Sequence, residues 1–237
     1  MDTWWWQRLA TDWPALHLVE RDGWHLGTSG GTSRRANSAR AIHDAAPIEP
    51  VIEHYTTRGH TPCVQVGPGQ QHLDQRLAAA GFETCGTTVL LARDTTPHHR
   101  PQPDVEIRDT PDARWDALNE PLGVTAESAA ITARILAPAD VGYAVHASGR
   151  ARGCAVHAPS AGTVGIYALA TEERARRQGL ARQVLSALLA WGHARQASRA
   201  YLAVESVNRA ALELYVQAGF HHVSRYHYRI RRMTSVS

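Results

Sequence analysis

A strand that runs into a helix through a short basic turn constrains this chain more than any other segment. Residues 164–170 are apolar enough for a buried strand, and a helix follows from about Leu180, with Val184 and Leu188 on the same face. The first N–H groups of a helix lack internal partners, and the helix dipole adds positive charge there. Gly179 lets a bulky group approach these amides, and several arginines surround it in the sequence. The turn is therefore predicted to bind phosphate.

Three segments resemble the GNAT superfamily of acyl-CoA-dependent N-acyltransferases. The first, Arg176-Arg-Gln-Gly179-Leu-Ala181, is similar to the Arg/Gln-x-x-Gly-x-Gly/Ala signature of that superfamily. The second, residues 202–220, is similar to its strand-Asn-helix-Leu-Tyr-x-x-x-Gly-Phe segment, and the third, residues 165–169, to the strand that lines the CoA arm. The resemblance covers roughly residues 104–232. It implies an α/β fold of the α+β kind, built on a mixed sheet.

The resemblance implies that acetyl-CoA binds along this strand and turn as a co-substrate. Main-chain groups of Leu169 and Thr171 would bond the pantetheine arm, and the Leu169 N–H would polarise the thioester carbonyl. Asn208, at the start of the next helix, would contact the same arm, or would serve only as the N-cap of that helix. The positions implied to bind the co-substrate are Leu169, Ala170, Thr171, Arg176, Arg177, Gln178, Gly179, Leu180, Ala181, Arg182 and Asn208.

Two residues are candidates for acid–base catalysis. Family members place a phenol near the CoA sulfur, which implies Tyr215 as the general acid; the alternative is a tyrosine packed in the core. Many relatives also place a glutamate on the strand before the phosphate turn, but residues 163–167 contain no carboxylate. Glu205 is the candidate base, with an ordinary surface residue as the alternative. No dedicated base is needed if the acceptor amine is already neutral.

The chain divides near a proline-rich stretch and repeats part of its pattern on either side. An amphipathic helix precedes both Gly81-Phe82 and Gly219-Phe220. The number of residues from Val64 to the first pair equals the number from Leu202 to the second. We predict two tandem GNAT-like domains. Residues 1–93 form a truncated, degenerate domain without a phosphate turn, residues 94–104 a linker, and residues 105–237 the catalytic GNAT acetyltransferase domain.

Two further segments bear on the acceptor. Residues 116–136 are predicted to be helical with a break at Glu120-Pro121-Leu122-Gly123, and in the superfamily such a helix pair often walls the acceptor pocket. Arg34, Arg35 and Asn37 follow a glycine-rich turn in the first half. They either reach the acceptor site of the other half or satisfy local backbone groups.

Composition excludes several classes of function. A formal net charge of +3 without long basic runs argues against nucleic-acid binding. The sequence also lacks a long apolar run of the kind that predicts a membrane span or a signal peptide. No metal site is predicted, because neither the histidines nor the three cysteines (Cys63, Cys85 and Cys154) have the spacing of metal ligands. The thiols are expected to be free in a reducing cytoplasm. The chain is expected to be a monomer or a homodimer.

These features predict an N-acetyltransferase that transfers an acetyl group from acetyl-CoA to a primary amine by direct attack in a ternary complex. The acceptor, a small molecule or a protein N-terminus, is not identified by the sequence. A non-catalytic CoA-binding regulatory or scaffold protein is the alternative, because the strand before the turn lacks the usual carboxylate.

Overall fold

The computed structural model describes residues 4–96 and 102–232, along which helices and strands alternate. Parallel and antiparallel strand pairs both occur, which confirms the predicted mixed α/β class. The helices are α1 (Trp4–Asp12), α2 (Glu49–Thr56), α3 (Gln71–Ala79), α4 (Ala113–Ala117), α5 (Ala126–Leu136), α6 (Leu180–Ala194) and α7 (Arg209–Gln217). The strands are β1 (His17–Arg21), β2 (Trp24–Thr28), β3 (Ala39–Ala41), β4 (Cys63–Val66), β5 (Glu83–Asp94), β6 (Val105–Arg108), β7 (Asp140–His146), β8 (Ala151–Ala158), β9 (Thr163–Thr171), β10 (Arg199–Glu205) and β11 (His221–Ile230).

The described residues form two compact units. The first contains residues 4–89, 205–207 and 223–232, and the second contains residues 90–96, 102–204 and 208–222. Most of β11 therefore belongs to the first unit. Residues 97–101 of the predicted linker lie outside the described residues, and the division into domains at 94–104 stays a prediction. No helix of the described chain is long and apolar enough to cross a membrane.

In the first unit, the strands follow the order β1-β2-β3-β4-β11. The β3–β4 pair is parallel, with Ala39 opposite Val64, and α2 lies between these strands in the chain. Leu73 and Leu77, one turn apart on α3, are fully buried in a core with Trp24. A helix face of this kind stabilises the sheet by removing apolar surface from water.

The helix-ending motif predicted in both halves is present in both units. Gly81 and Gly219 have φ values of +81° and +84°, the left-handed conformation that ends a helix. Phe82 and Phe220 follow them and are buried. The amide of each phenylalanine donates 3.0 Å to a carbonyl of the last helical turn, that of Leu77 in the first unit and of Tyr215 in the second. The predicted repeat is thus a repeat of local structure.

In the second unit, the strands follow the order β10-β9-β8-β7-β6. Helix α6 connects the parallel pair β9 and β10, and buries Val184, Leu185 and Leu188 against one face of the sheet. Two glycines permit this close packing. A Cβ at Gly142 would lie 2.6 Å from the Trp191 ring, and one at Gly192 would lie 2.7 Å from Val164. The sheet therefore accepts the long helix that follows the predicted phosphate turn.

Asn37 closes the glycine-rich loop of the first unit. Its Oδ1 accepts hydrogen bonds from the amides of Ser29 and Gly30 at 2.8 and 3.0 Å, and its Nδ2 donates to the carbonyls of Gly30 and Ser33 at 2.8 and 2.9 Å. For this residue the structure supports the local interpretation, because the side-chain amide is used within its own loop.

Replacing Asn37 with aspartate should destabilise the protein. Asn37→Asp keeps the two hydrogen bonds that the side chain accepts. It replaces the NH2 group, which donates to two carbonyls, with an oxygen that cannot donate, and we expect the free energy of unfolding to fall by about 2 kcal/mol. Urea unfolding measures the change. Gln75→Glu makes the same chemical change at an exposed position of α3 and serves as the control. Equal unfolding midpoints for the two variants would contradict this account of the loop.

Candidate active site

A cavity of about 530 Å³ lies within the second unit, between the end of β9, the following turn, the start of α6 and one face of α7. Ten of the thirteen predicted site residues line it. They are Leu169, Ala170, Thr171, Arg176, Arg177, Gly179, Leu180, Ala181, Arg182 and Tyr215.

The end of β9 parts from β10 at the cavity. Their parallel pairing begins with Thr163 opposite Arg199 and stops with Ile166 opposite Leu202, although β9 continues to Thr171. The last part of β9 therefore has main-chain groups on that edge that β10 does not pair. The Thr171 hydroxyl is also buried without a hydrogen-bond partner among the described residues. Unpaired donors and acceptors on a cavity wall suit an amide-rich chain such as the pantetheine arm.

The other edge of β9 carries a bulge. The pairing with β8 shifts between Arg152, opposite Ala170, and Cys154, opposite Tyr167, so that two residues of β9 face Gly153. One of these two, Ala168, has a φ of +49°, an uncommon conformation for a side-chain-bearing residue. The bulge locally interrupts the ladder and re-aims the backbone at Leu169, the residue implied to polarise the thioester.

A pair of tyrosines holds β9 and β10 together just before they part. The hydroxyls of Tyr167 and Tyr201 lie 2.7 Å apart in the buried interior. Tyr201 lies opposite Gly165, where a Cβ would come within 2.9 Å of its ring. The glycine thus leaves room for the pair, which fixes the point at which the two strands separate.

The predicted phosphate turn has the geometry of an anion site. Arg177 and Gly179 have φ values of +65° and +82°, so the backbone reverses hand at the entry to α6. Gly179 is the N-cap and supplies no side-chain cap for the first amides of this 15-residue helix. A Cβ at Gly179 would meet nothing within 4 Å, so the space in front of these amides is open. The turn therefore fits a diphosphate group.

Arginines give the cavity a positive wall. Arg176, Arg177 and Arg182 line it together with one carboxylate, that of Glu213. Arg182 donates 2.6 Å to the side-chain oxygen of Gln217 on α7, which fixes one guanidinium at the cavity edge. The balance of charge favours an anionic ligand.

Tyr215 projects from α7 into the cavity. Only 8% of the residue is exposed, and its ring packs edge-on against Phe220 with centroids 5.9 Å apart. Within the described chain its hydroxyl has no hydrogen-bond partner, so the tyrosine is not simply a core residue bonded to the backbone. Burial raises the pKa of Tyr215 to about 12. The phenol is therefore protonated at neutral pH, as a general acid must be.

Three predicted residues lie outside the cavity wall. Asn208 caps α7, because its side-chain oxygen accepts the Ala211 amide at 3.2 Å. Gln178 donates to the carbonyl of Arg174 at 3.5 Å. Glu205 belongs to the first unit, where its 60% exposed carboxylate lies 3.9 Å from Arg34. The functional roles of these residues stay predictions.

The sequence did not predict one wall of the cavity, which is formed by α7 and one residue of the turn. A helical projection indicates only part of it, since Ala211 lies one turn before Tyr215, whereas Ala210, Leu214 and Gln217 lie on a different face of the helix. The residues are Ala175, Ala210, Ala211, Glu213, Leu214 and Gln217.

A parallel strand pair that opens over a helix N-terminus, with a phenol opposite, is the arrangement of GNAT acyltransferases. Two solved structures share the fold. A GCN5-related N-acetyltransferase from Kribbella flavida superposes with a TM-score of 0.66 at 17% identity, covering 97% of this chain and 96% of that one. A tandem GNAT protein from the clavulanic acid biosynthesis pathway gives a TM-score of 0.57 at 13% identity, covering 84% and 76%.

The sequence comparisons identify the family. Residues 7–229 match the family described as probable histone acetyltransferase Rv0428c, C-terminal, and the chain belongs to this family. The probable histone acetyltransferase Rv0428c of Mycobacterium tuberculosis is 29% identical over 224 residues, which cover 92% of this chain and 70% of that protein. These findings confirm the predicted GNAT resemblance and the tandem arrangement. Among the residues that the structure describes, no group of His, Cys, Asp and Glu is arranged to hold a metal.

The protonation of Tyr215 can be tested by alkaline titration. At about pH 10 a free tyrosine is half ionised, whereas Tyr215, with a pKa of about 12, should remain a phenol. Folded wild-type protein and Tyr215→Phe should therefore show the same tyrosinate absorbance at that pH. In denaturant, where all tyrosines are exposed, the wild type should show the signal of one more half-ionised tyrosine than Tyr215→Phe. A difference of that size between the two folded proteins would show that the phenol is not shielded.

Proposed function

We propose that this chain transfers an acetyl group from acetyl-CoA to a primary amine, on a small molecule or a protein N-terminus, within a ternary complex. The observation that supports it most directly is the cavity, which joins the parted end of β9, the uncapped N-terminus of α6 and the buried phenol of Tyr215. The catalytic function is assigned to residues 105–237, with residues 1–93 as a degenerate companion domain and residues 94–104 as the linker.

The proposed binding mode follows the walls of the cavity. The amides around Gly179 and the guanidinium groups of Arg176, Arg177 and Arg182 bind the diphosphate. The main chain of residues 169–171 bonds the pantetheine arm, and Asn208 contributes at the start of α7 while also capping it. Bound in this way, acetyl-CoA supplies an acyl group activated as a thioester.

The proposed chemistry uses one donor on each side of the reacting carbon. The Leu169 N–H, re-aimed by the bulge, stabilises the negative charge that develops on the carbonyl oxygen, a contribution on the order of 3 kcal/mol for one such donor. Tyr215 donates its proton to the departing sulfur. The amine attacks in its neutral form.

The proton of the attacking amine needs an acceptor. β9 contains no carboxylate, so the strand does not supply the base. Glu205 is our candidate, although its pairing with Arg34 and its exposure also suit a surface residue. If the amine is neutral at the working pH, no dedicated base is needed before the attack, and the proton that the nitrogen loses afterwards passes to water.

We place the reaction in the cytoplasm. Cys63, Cys85 and Cys154 are free thiols, which is typical of a reducing compartment. The name of the Mycobacterium tuberculosis relative mentions a histone, which is one example of an acceptor that bears amines. The lining of this cavity does not favour a histone over other amines.

Gly179→Glu should abolish binding of coenzyme A measured by calorimetry, because a carboxylate would face the diphosphate at the helix N-terminus. Gly149→Glu is the matched control. Gly149 also has a positive φ, of +66°, with nothing within 4 Å of a built Cβ, but it lies in the hairpin turn between β7 and β8. Affinity lost equally in both variants would point to backbone strain, and affinity kept in Gly179→Glu would remove the turn from the binding site.

Tyr215→Phe should lower kcat by about 10² or more while coenzyme A binds with unchanged affinity. Release of free thiol from acetyl-CoA with a panel of amines measures turnover. Tyr55→Phe, which removes a buried phenol of the first unit, should leave kcat unchanged. Full turnover in Tyr215→Phe would exclude the phenol as the acid. Tight binding without thiol release by the wild type, across the whole panel, would favour the non-catalytic alternative.

A further inference from the structure

Arg152 is a buried cation that makes no ion pair with any carboxylate in the described part of the chain. It lies on β8 with only 4% of its surface exposed. Its Nη1 donates 2.5 Å to the Trp115 carbonyl, and its guanidinium lies 4.5 Å from the centroid of the Trp115 ring. Its Nε is buried and has no hydrogen-bond partner within residues 4–96 and 102–232.

A guanidinium has five N–H donors, and burying its charge without an anion is strongly unfavourable. Burial lowers the pKa of Arg152, while the Cys154 thiol and the Asp116 carboxylate act in the opposite direction. The carbonyl and the ring of Trp115 contact part of the guanidinium, and the buried Nε keeps an unused donor. An anion with oxygen acceptors is the kind of partner that would compensate this charge.

The register of the sheet places Arg152 beside the candidate active site. Arg152 and Ala170 are direct partners across the β8–β9 ladder, and directly opposite residues project from the same face. Ala170 lines the cavity. Leu169 lies on the other face, because a Cβ at Gly153 would meet its side chain together with Val184 and Leu188 of α6. Arg152 itself does not line the cavity. Since α6 covers the face of Leu169, the face of Arg152 is the one from which an acceptor would approach in the proposed transfer.

We propose that Arg152 binds a carboxylate of the acceptor, so that the acceptor is a small amine of the amino-acid class. The inference rests on the proposed acetyl transfer and narrows its substrate. A planar guanidinium and a carboxylate form paired hydrogen bonds of matched geometry, which would orient the amine toward the thioester. The same cation repels acceptors that carry only positive charge.

The test compares amino acids with their carboxamides, which lack the negative charge of the carboxylate. Because amidation also lowers the pKa of the amine, each rate is expressed per concentration of neutral amine. Wild-type protein receives acetyl-CoA and each member of a pair in turn, and thiol release gives kcat/KM. We expect kcat/KM for the acid to exceed that for the amide by about tenfold or more, which corresponds to one charge-assisted hydrogen-bonded pair. The ratio should fall to about one in Arg152→Met and be partly retained in Arg152→Lys. Because both substrates meet the same preparation, a reduced folded fraction does not change the ratio.

Arg199→Met is the control, because Arg199 is an exposed arginine at the end of β10 that lies far from the parted strands. The acid-to-amide ratio of kcat/KM in this variant should equal that of the wild type. Thiol release with a wild-type ratio near one, or a ratio unchanged in Arg152→Met, would overturn this inference and leave acetyl transfer standing. If no amine releases thiol, the proposed transfer fails. Calorimetry of the same pairs on the CoA-loaded protein then decides about Arg152: a preference for acids that Arg152→Met removes supports the anion site, and equal binding of acid and amide overturns it.

Discussion

The parting of β9 from β10 after Ile166 and Leu202 is the constraint on which the site depends. A strand edge without a partner leaves peptide groups that a ligand or water must bond, and such groups are costly where neither reaches them. Here the tyrosine pair fixes where the strands separate, and the bulge at Ala168 turns the opposite edge. The same opening places the N-terminus of α6 across from the free edge. These two irregularities of β9 thus produce one wall of the cavity and, in the proposed mechanism, place the Leu169 N–H near the carbonyl oxygen of the thioester.

The first unit shows what the same chain pattern becomes without that site. Arg76 stands where the repeat places Leu214, and its guanidinium donates to the carbonyls of Asp44 and Ala46 in the loop before α2. This loop therefore turns carbonyls toward a cation, whereas the turn before α6 is proposed to present amides to an anion. The position equivalent to Tyr215 is the fully buried Leu77. The first unit therefore keeps the strand, helix and Gly-Phe pattern without a counterpart of the proposed phosphate turn or of the phenol.

Local sequence predicted the parts of the site that depend on neighbouring residues. The helix after Gly179, the N-cap at Asn208 and the left-handed glycine at 219 each follow from residues within a few positions of one another. Features set by long-range pairing were not accessible. The bulge that gives Ala168 a positive φ depends on the register of β8, and the burial of Arg152 depends on Trp115 of α4, far away in the sequence. Periodicity carries no information on register between distant strands.

Burial acts on two ionisable groups of the second unit in opposite senses. It raises the pKa of Tyr215 and lowers that of Arg152, because a site with little water favours the neutral form of any group. For the phenol the neutral form is the proton donor, so burial keeps the proton on Tyr215 but also makes it a weaker acid toward a thiolate. For the guanidinium the neutral form is inaccessible, so desolvation leaves a charge that an anion compensates. In the proposed transfer, the low water content of the site therefore favours an acceptor that brings its own negative charge.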